Sequence, residues 1–126
     1  GELRKTYGHV VDILPTILDV TGISLGDSLE VPFPGQSLKP YFGKDDLRQQ
    51  PFWYYHEGNR AIRVGDWKLV AAKDDPWELF NLATDRTESN NLAFDIPEKV
   101  WDMEHQWNNM LEDIKTVTPS LSNIGD

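Results

Sequence analysis

The chain has 126 residues, 39% of them hydrophobic and 26% charged, which is one globular domain's worth and excludes a disordered or fibrous protein. Its 12 basic and 21 acidic side chains leave a net charge of −9 with no basic patch, which argues against a nucleic-acid partner. No apolar run approaches the roughly 18 to 20 residues that span a bilayer, and no secretion-signal pattern opens the chain, so neither a membrane protein nor a preprotein is expected.

The first element is a helix over about 12–21, with Ile13, Leu14, Ile17, Leu18 and Val20 at helical spacing. Asp12 is the expected N-cap, Pro15 fits the first turn, and Gly22 suits the left-handed position that ends a helix, with Ile23 packing back. Alone, so short and apolar a helix is marginal and needs a larger body to pack on. Residues 24–51 read as irregular, punctuated by Pro32, Pro34, Pro40 and Pro51 and by Gly26, Gly35 and Gly43. Leu38, Tyr41 and Phe42 are the expected anchors. A loop of this length is unusual in a compact domain and points to a missing packing partner.

Residues 52–82 read as strands: Phe52–His56, Ala61–Val64, Trp67–Ala72 and Trp77–Leu82. Gly65-Asp66 predicts a two-residue type II′ hairpin, and Asp74-Asp75-Pro76 a further turn. Short connections favour an antiparallel sheet. A last helix is predicted over about 96–115, opened by an Asp95/Glu98 capping pair with Pro97 in the first turn. Val100, Met103, Trp107, Met110 and Ile114 form its apolar stripe, which suits one face of the sheet. The fold class is therefore α+β: a small four-stranded antiparallel sheet packed against a long C-terminal helix, preceded by a helix and a proline-rich loop.

The chemistry is sparse. Cysteine is absent, which removes disulfides, thiolate metal sites and a Cys nucleophile. His9, His56 and His105 form no metal-ligand spacing, and neither a nucleophile elbow nor a phosphate loop occurs. His9 reads as a local cap and His105 as a surface residue. Asp45-Asp46 and Asp74-Asp75 lie beside turn residues and read as turn formers. Trp67, Trp77 and Trp107 read as core. One constellation stands out: His56, Glu57, Asn59 and Arg60, where an aromatic strand meets a turn, could line a polar pocket. No complete catalytic apparatus is present.

Three stretches, with a short loop, carry a resemblance. Gly8-His-Val-Val-Asp-Ile-Leu-Pro-Thr-Ile-Leu-Asp-Val-Thr-Gly22 resembles a Val-x-Asp-x-x-Pro-Thr-x-Leu helix. Glu57-Gly-Asn-Arg-Ala-Ile-Arg-Val-Gly-Asp-Trp-Lys-Leu-Val70 resembles a hairpin with an Arg-x-Gly-x-Trp-Lys core. Trp77-Glu-Leu-Phe-Asn-Leu followed by Asp85-Arg-Thr-Glu-Ser-Asn-Asn-Leu92 resembles a Leu-Tyr-Asp-Leu and Asp-x-x-Glu-x-x-Asn-Leu signature. Pro34-Gly-Gln-Ser-Leu38 fits a Gly-x-Ser-Leu loop. In this order they resemble the C-terminal part of the type I, formylglycine-dependent sulfatases of the alkaline phosphatase superfamily, bacterial arylsulfatases above all.

The resemblance implies that residues 1–51 are the tail of a large α/β domain and 52–126 a C-terminal domain. It implies a parent that hydrolyses sulfate esters with a formylglycine made from the Cys or Ser of a Cys/Ser-x-Pro-x-Arg motif and with a divalent cation, usually calcium. Both belong upstream, so the chain itself is expected to hold no catalytic residue, metal or cofactor and to be inactive alone. The implied partners are the large N-terminal domain and, through it, a sulfate ester, in a periplasmic or secreted parent. His56, Glu57, Asn59 and Arg60 become candidates for one wall of the substrate cleft. Two other readings stand beside this one: a phosphodiesterase or phosphonate hydrolase of the same superfamily, and a freestanding carbohydrate-binding module with Trp53 or Tyr54 as its stacking platform.

Overall fold

The computed structural model describes residues 2–4, 6–24, 35–46, 48 and 50–117. Pro32, Pro34 and Gly26 of the long loop and Pro119 of the tail lie outside the described residues. The chain divides into two compact units, 1–48 and 49–126.

In the first unit a short 3-10 turn, Val10–Asp12, runs into α1, Ile13–Thr21. His9 caps the turn: its Nδ1 accepts the Val11 N–H at 3.3 Å, while its own N–H donates to Asp12 Oδ2 at 2.8 Å. Asp12 is thus not the side-chain cap of α1 that the sequence predicts. Its carboxylate is fully buried and turned to other partners. Gly22 ends α1 at φ +71, as expected, because a left-handed residue without a Cβ costs least there. Ile23 does not pack back; it is exposed.

The side of α1 that meets its own unit is polar. Thr16 Oγ1 donates to the Asp12 carbonyl and accepts the Leu38 N–H at 2.8 Å. Asp19 receives the Ser37 hydroxyl at 2.6 Å and the Lys39 ammonium at 2.9 Å. Ile13, Leu14, Ile17 and Val20 are instead exposed, the reverse of a helix that has found its core. A second 3-10 turn, Lys39–Tyr41, breaks the predicted irregular segment. Leu38 and Tyr41 are half-buried, whereas Phe42 is exposed and anchors through its carbonyl, which accepts Arg4 Nε.

The second unit holds β1 (Phe52–His56), β2 (Asn59–Val64), β3 (Trp67–Ala71), β4 (Glu78–Asn81) and α2 (Pro97–Val117). The strands pair antiparallel in the order β1-β2-β3-β4. Gly65-Asp66 joins the paired Val64 and Trp67, with Gly65 at φ +59, so the hairpin forms as predicted. β2 starts two residues earlier than expected, because Glu57 (φ +51) and Gly58 (φ +87) close a second two-residue hairpin between the paired His56 and Asn59. Two positive φ values in succession are the type I′ geometry, whose twist matches that of the strands.

One sheet face and α2 enclose the core. Ile62, Leu69, Leu79 and Met103 are completely buried, Trp107 nearly so, with Trp53, Tyr55, Trp67, Trp77, Val100 and Met110 around them. Each such aliphatic side chain contributes about 1.5–3 kcal/mol. The predicted stripe is therefore the buried stripe. The helix entry differs by one residue: Ile96, not Asp95, precedes the first turn, and its carbonyl accepts the Lys99 and Val100 N–H groups. Two tryptophans lock β1 to α2. Trp53 Nε1 donates to the Trp107 carbonyl and Trp107 Nε1 to the Tyr54 carbonyl, both at 3.1 Å, and their rings stack at 5.4 Å.

Candidate functional site

The four residues singled out in the sequence meet at the β1–β2 hairpin, but not on one side of it. Alternation along the paired strands puts Tyr54, His56 and Asn59 on the sheet face turned away from α2 and Arg60, opposite Tyr55, on the side facing α2. His56 and Glu57 stand in solvent, their side chains 84% and 83% exposed and 3.9 Å apart. Asn59 braces the turn: its Nδ2 donates to the His56 carbonyl at 3.0 Å and its Oδ1 accepts the Lys73 N–H at 3.2 Å. Arg60 reaches the Asp75 carbonyl at 2.9 Å and lies 4.5 Å from the Trp77 ring centroid, a cation–π contact. A shallow depression of about 340 Å³ lies beside the hairpin, lined by Tyr54, Tyr55, His56, Asn59, Arg60 and Ala72 among others. Glu57 holds a left-handed backbone at the tip, where Asn or Gly is the less strained choice.

Among the described residues no three His, Asp or Glu side chains converge into a metal site. Asp74 sits in a turn at φ +65, and Asp46 pairs with Lys44 while its carbonyl accepts the Thr6 hydroxyl. His105 is exposed, its Nδ1 2.8 Å from the Trp101 carbonyl. Trp53 is half-buried and packed against Tyr55 and Trp107, whereas Tyr54 is 44% exposed.

The residues of the three sequence signatures turn out to be fasteners. Asp12 accepts the Gln36 N–H at 2.8 Å and receives Arg48 through both terminal nitrogens, Nη2 at 3.0 Å, with Arg48 itself buried. Burial pushes the Asp12 carboxyl up, but the Arg48 hydrogen bond, the Gln36 and His9 N–H groups and the guanidinium charge together hold it below the usual carboxylate range. Gly35 passes so close to α1's approach that a Cβ there would lie 2.0 Å from the Val11 carbonyl oxygen. Lys68 binds both Glu88 oxygens. Asp85 organises its own loop by accepting the Ser89 and Asn90 N–H groups at 2.8 Å, and the Asn90 bond above all keeps its carboxyl below the usual range. Asn91 and Leu92 cover the free edge of β4: Asn91 Oδ1 accepts the Leu79 N–H, and the Leu92 N–H donates to the Leu79 carbonyl. Sequence reasoning missed the Asp12–Arg48 pair. The signal within reach was a buried-type Asp inside an apolar helix start; its partner, 36 residues away, carries no local signal.

Fold and fasteners together define a small α+β module, a sheet under a helix, built by signature residues that hold structure rather than by a catalytic constellation. The chain is 32% identical over 114 residues to arylsulfatase K of Rattus norvegicus, covering 77% of this chain and 20% of that protein. It is 35% identical over 96 residues to choline-sulfatase of Rhizobium meliloti strain 1021, covering 72% and 19%. A solved structure described under the metabolism of multiple glycosaminoglycans by Bacteroides thetaiotaomicron superposes with a TM-score of 0.60 at 25% identity, over 83% of this chain and 24% of that one. No protein-family model matches. The chain belongs to the sulfatase family, and it spans about a fifth of the length of the curated relatives it matches.

Proposed function

We propose that the chain is the C-terminal part of a sulfuric ester hydrolase, with residues 1–51 closing the large domain and 52–126 forming the small one. The observation that carries this is the 32–35% identity to arylsulfatase K and choline-sulfatase over about three quarters of the chain. The polar inner and apolar outer sides of α1 support it: Ile13, Leu14, Ile17 and Val20 are the residues a large domain would cover. The formylglycine and calcium of the family would come from the preceding part, in a periplasmic or secreted enzyme. Nothing among the described residues fits either group: the chain has no Cys, none of its serines opens a Ser-x-Pro-x-Arg motif, and among the described residues no three ligating side chains converge.

The contribution of this chain is positional. The β1–β2 hairpin forms one wall of the substrate cleft, with His56 and Glu57 facing the substrate and Asn59 and Arg60 holding the turn. An exposed imidazole can donate a hydrogen bond to a sulfate or sugar oxygen, and Glu57 can accept one from a hydroxyl. A sulfated sugar is the favoured substrate class, since the superposed Bacteroides structure belongs to glycosaminoglycan metabolism.

The test uses the full-length enzyme. The expected result is a reading frame with a Cys/Ser-x-Pro-x-Arg motif upstream and release of sulfate from an aryl or sugar sulfate by the full-length enzyme, with none released by the 126-residue chain alone. His56→Ala raises KM severalfold with little change in kcat. Unchanged kcat and KM in His56→Ala and Glu57→Ala, on every substrate the enzyme turns over, overturns the cleft-wall role. A different nucleophile motif upstream replaces the sulfatase by a phosphodiesterase or phosphonate hydrolase.

A further inference from the structure

We propose that the outer side of α2 carries a carbohydrate-binding site of its own, with Trp101 as the stacking platform for a neutral pyranose ring. Trp101 lies off the buried stripe of Val100, Met103 and Trp107 and is 61% exposed, so no packing demand of the core places an indole there. Its ring is held from one side. The His105 ring lies against it, centroids 3.8 Å apart and planes tilted by 34°, and His105 Nδ1 is 2.8 Å from the Trp101 carbonyl, which fixes the imidazole one turn away. A preorganised aromatic surface loses little entropy on binding.

Beside the indole lies a depression of about 550 Å³ lined by Trp67, Ile96, Glu98, Lys99, Trp101 and Asp102. Lys99 Nζ stands 5.9 Å from the Trp67 ring centroid, at the rim of cation–π range. The lining therefore offers two carboxylate acceptors, one ammonium donor and two indoles. A sugar ring uses all three: its C–H face packs on the indole, its hydroxyls donate to Glu98 and Asp102, and an oxygen accepts from Lys99. Two negative charges against one positive disfavour a multiply sulfated ring at this spot and select a neutral one. Neither the hairpin nor any catalytic group enters this site, so it stands or falls apart from the cleft-wall reading.

The test is a titration of the full chain with two neutral hexasaccharides, agarohexaose and laminarihexaose, and with a sulfated carrageenan hexasaccharide, followed by the indole Nε1–H signals in nuclear magnetic resonance. The expected result is a saturable shift of the Trp101 signal with at least one neutral sugar. Trp101→Ala then weakens binding by about tenfold or more, as for a central aromatic contact. Glu98→Gln with Asp102→Asn weakens it severalfold. The buried Trp107 signal stays in place in every variant and so reports that the fold is intact. No saturable shift with either neutral sugar overturns the proposal. So does binding of the sulfated sugar alone with loss in Lys99→Ala, or self-association that Trp101→Ala abolishes without any sugar response.

Discussion

Lys68 sets its ammonium on both carboxylate oxygens of Glu88, at 2.7 and 2.6 Å. The first residue ends the Arg-x-Gly-x-Trp-Lys hairpin and the second lies in the Asp-x-x-Glu-x-x-Asn-Leu loop, so the contact ties two family signatures to each other. Arg63 of the same hairpin bonds the Gly65 carbonyl at 2.9 Å and braces the turn from within. What looks in the sequence like two separate marks of family is one piece of scaffolding.

Because both partners are about 30% exposed, this pair is worth less than its geometry suggests. Lys68→Met and Glu88→Gln each lower stability by about 0.5–1 kcal/mol, and the double variant costs less than the two single losses added together. Urea denaturation of the four proteins closes the cycle. Strict additivity would mean that the pair contributes nothing.

The Asp12–Arg48 pair is a different case, because both side chains are buried. Removing one partner strands the other charge, so Asp12→Ala or Arg48→Ala lowers the stability of the first unit by about 3–5 kcal/mol. The Asp12 carboxyl lies below its ordinary value in the folded state. Its contribution is therefore fully present above the unfolded value of about 4 and is lost as pH falls below it. Urea midpoints between pH 7 and pH 3 fall for the parent chain. The fall is shallower in Asp12→Asn, which no longer has that proton to take up.

Gly35 and Gly43 make a paired test of close approach. A Cβ at Gly35 meets backbone at 2.0 Å, whereas one at Gly43 meets nothing within 4 Å. Gly35→Ala is destabilising by roughly 2–4 kcal/mol, because backbone must shift to admit it, while Gly43→Ala stays within about 0.5 kcal/mol. Thermal or urea unfolding separates them; equal effects would show that the Gly35 segment yields freely.

Trp107 joins core packing to an edge-strand hydrogen bond. Trp107→Phe loses the bond to the Tyr54 carbonyl and part of the ring volume, and lowers stability by about 1–2 kcal/mol. Trp107→Ala costs about 3–5 kcal/mol. Amide exchange reads out the difference: the β1 edge frays first in both, and protection of β2 and β3 drops only in Trp107→Ala.

Much of the second unit was legible in the sequence because its elements are specified by local periodicity. Alternation marks the strands, the Gly65-Asp66 pair marks a hairpin, and the 3-4-3-4 spacing from Val100 to Ile114 marks the buried side of α2. All of these are short-range signals that survive without knowledge of any partner. A turn after His56 is legible, but its tightness and the start of β2 at Asn59 escaped, because Glu57 is a poor left-handed residue and hides a two-residue hairpin. The residue that precedes α2 is Ile96 rather than Asp95, because Pro97 fits the first helical position whichever residue comes before it.

The sequence by itself determined the fold class, the family signatures and the absence of thiol chemistry, since composition and motif order need no coordinates. Only the tertiary structure decided what the signature residues do. Asp12 finds Arg48 across 36 positions, Lys68 finds Glu88 across 20, and His56 and Arg60, four apart in the chain, fall on opposite faces of one sheet. The reason is physical: periodicity reports which side of an element is buried, whereas a buried charge is stable only beside its partner, and chain closure, not local sequence, brings that partner near.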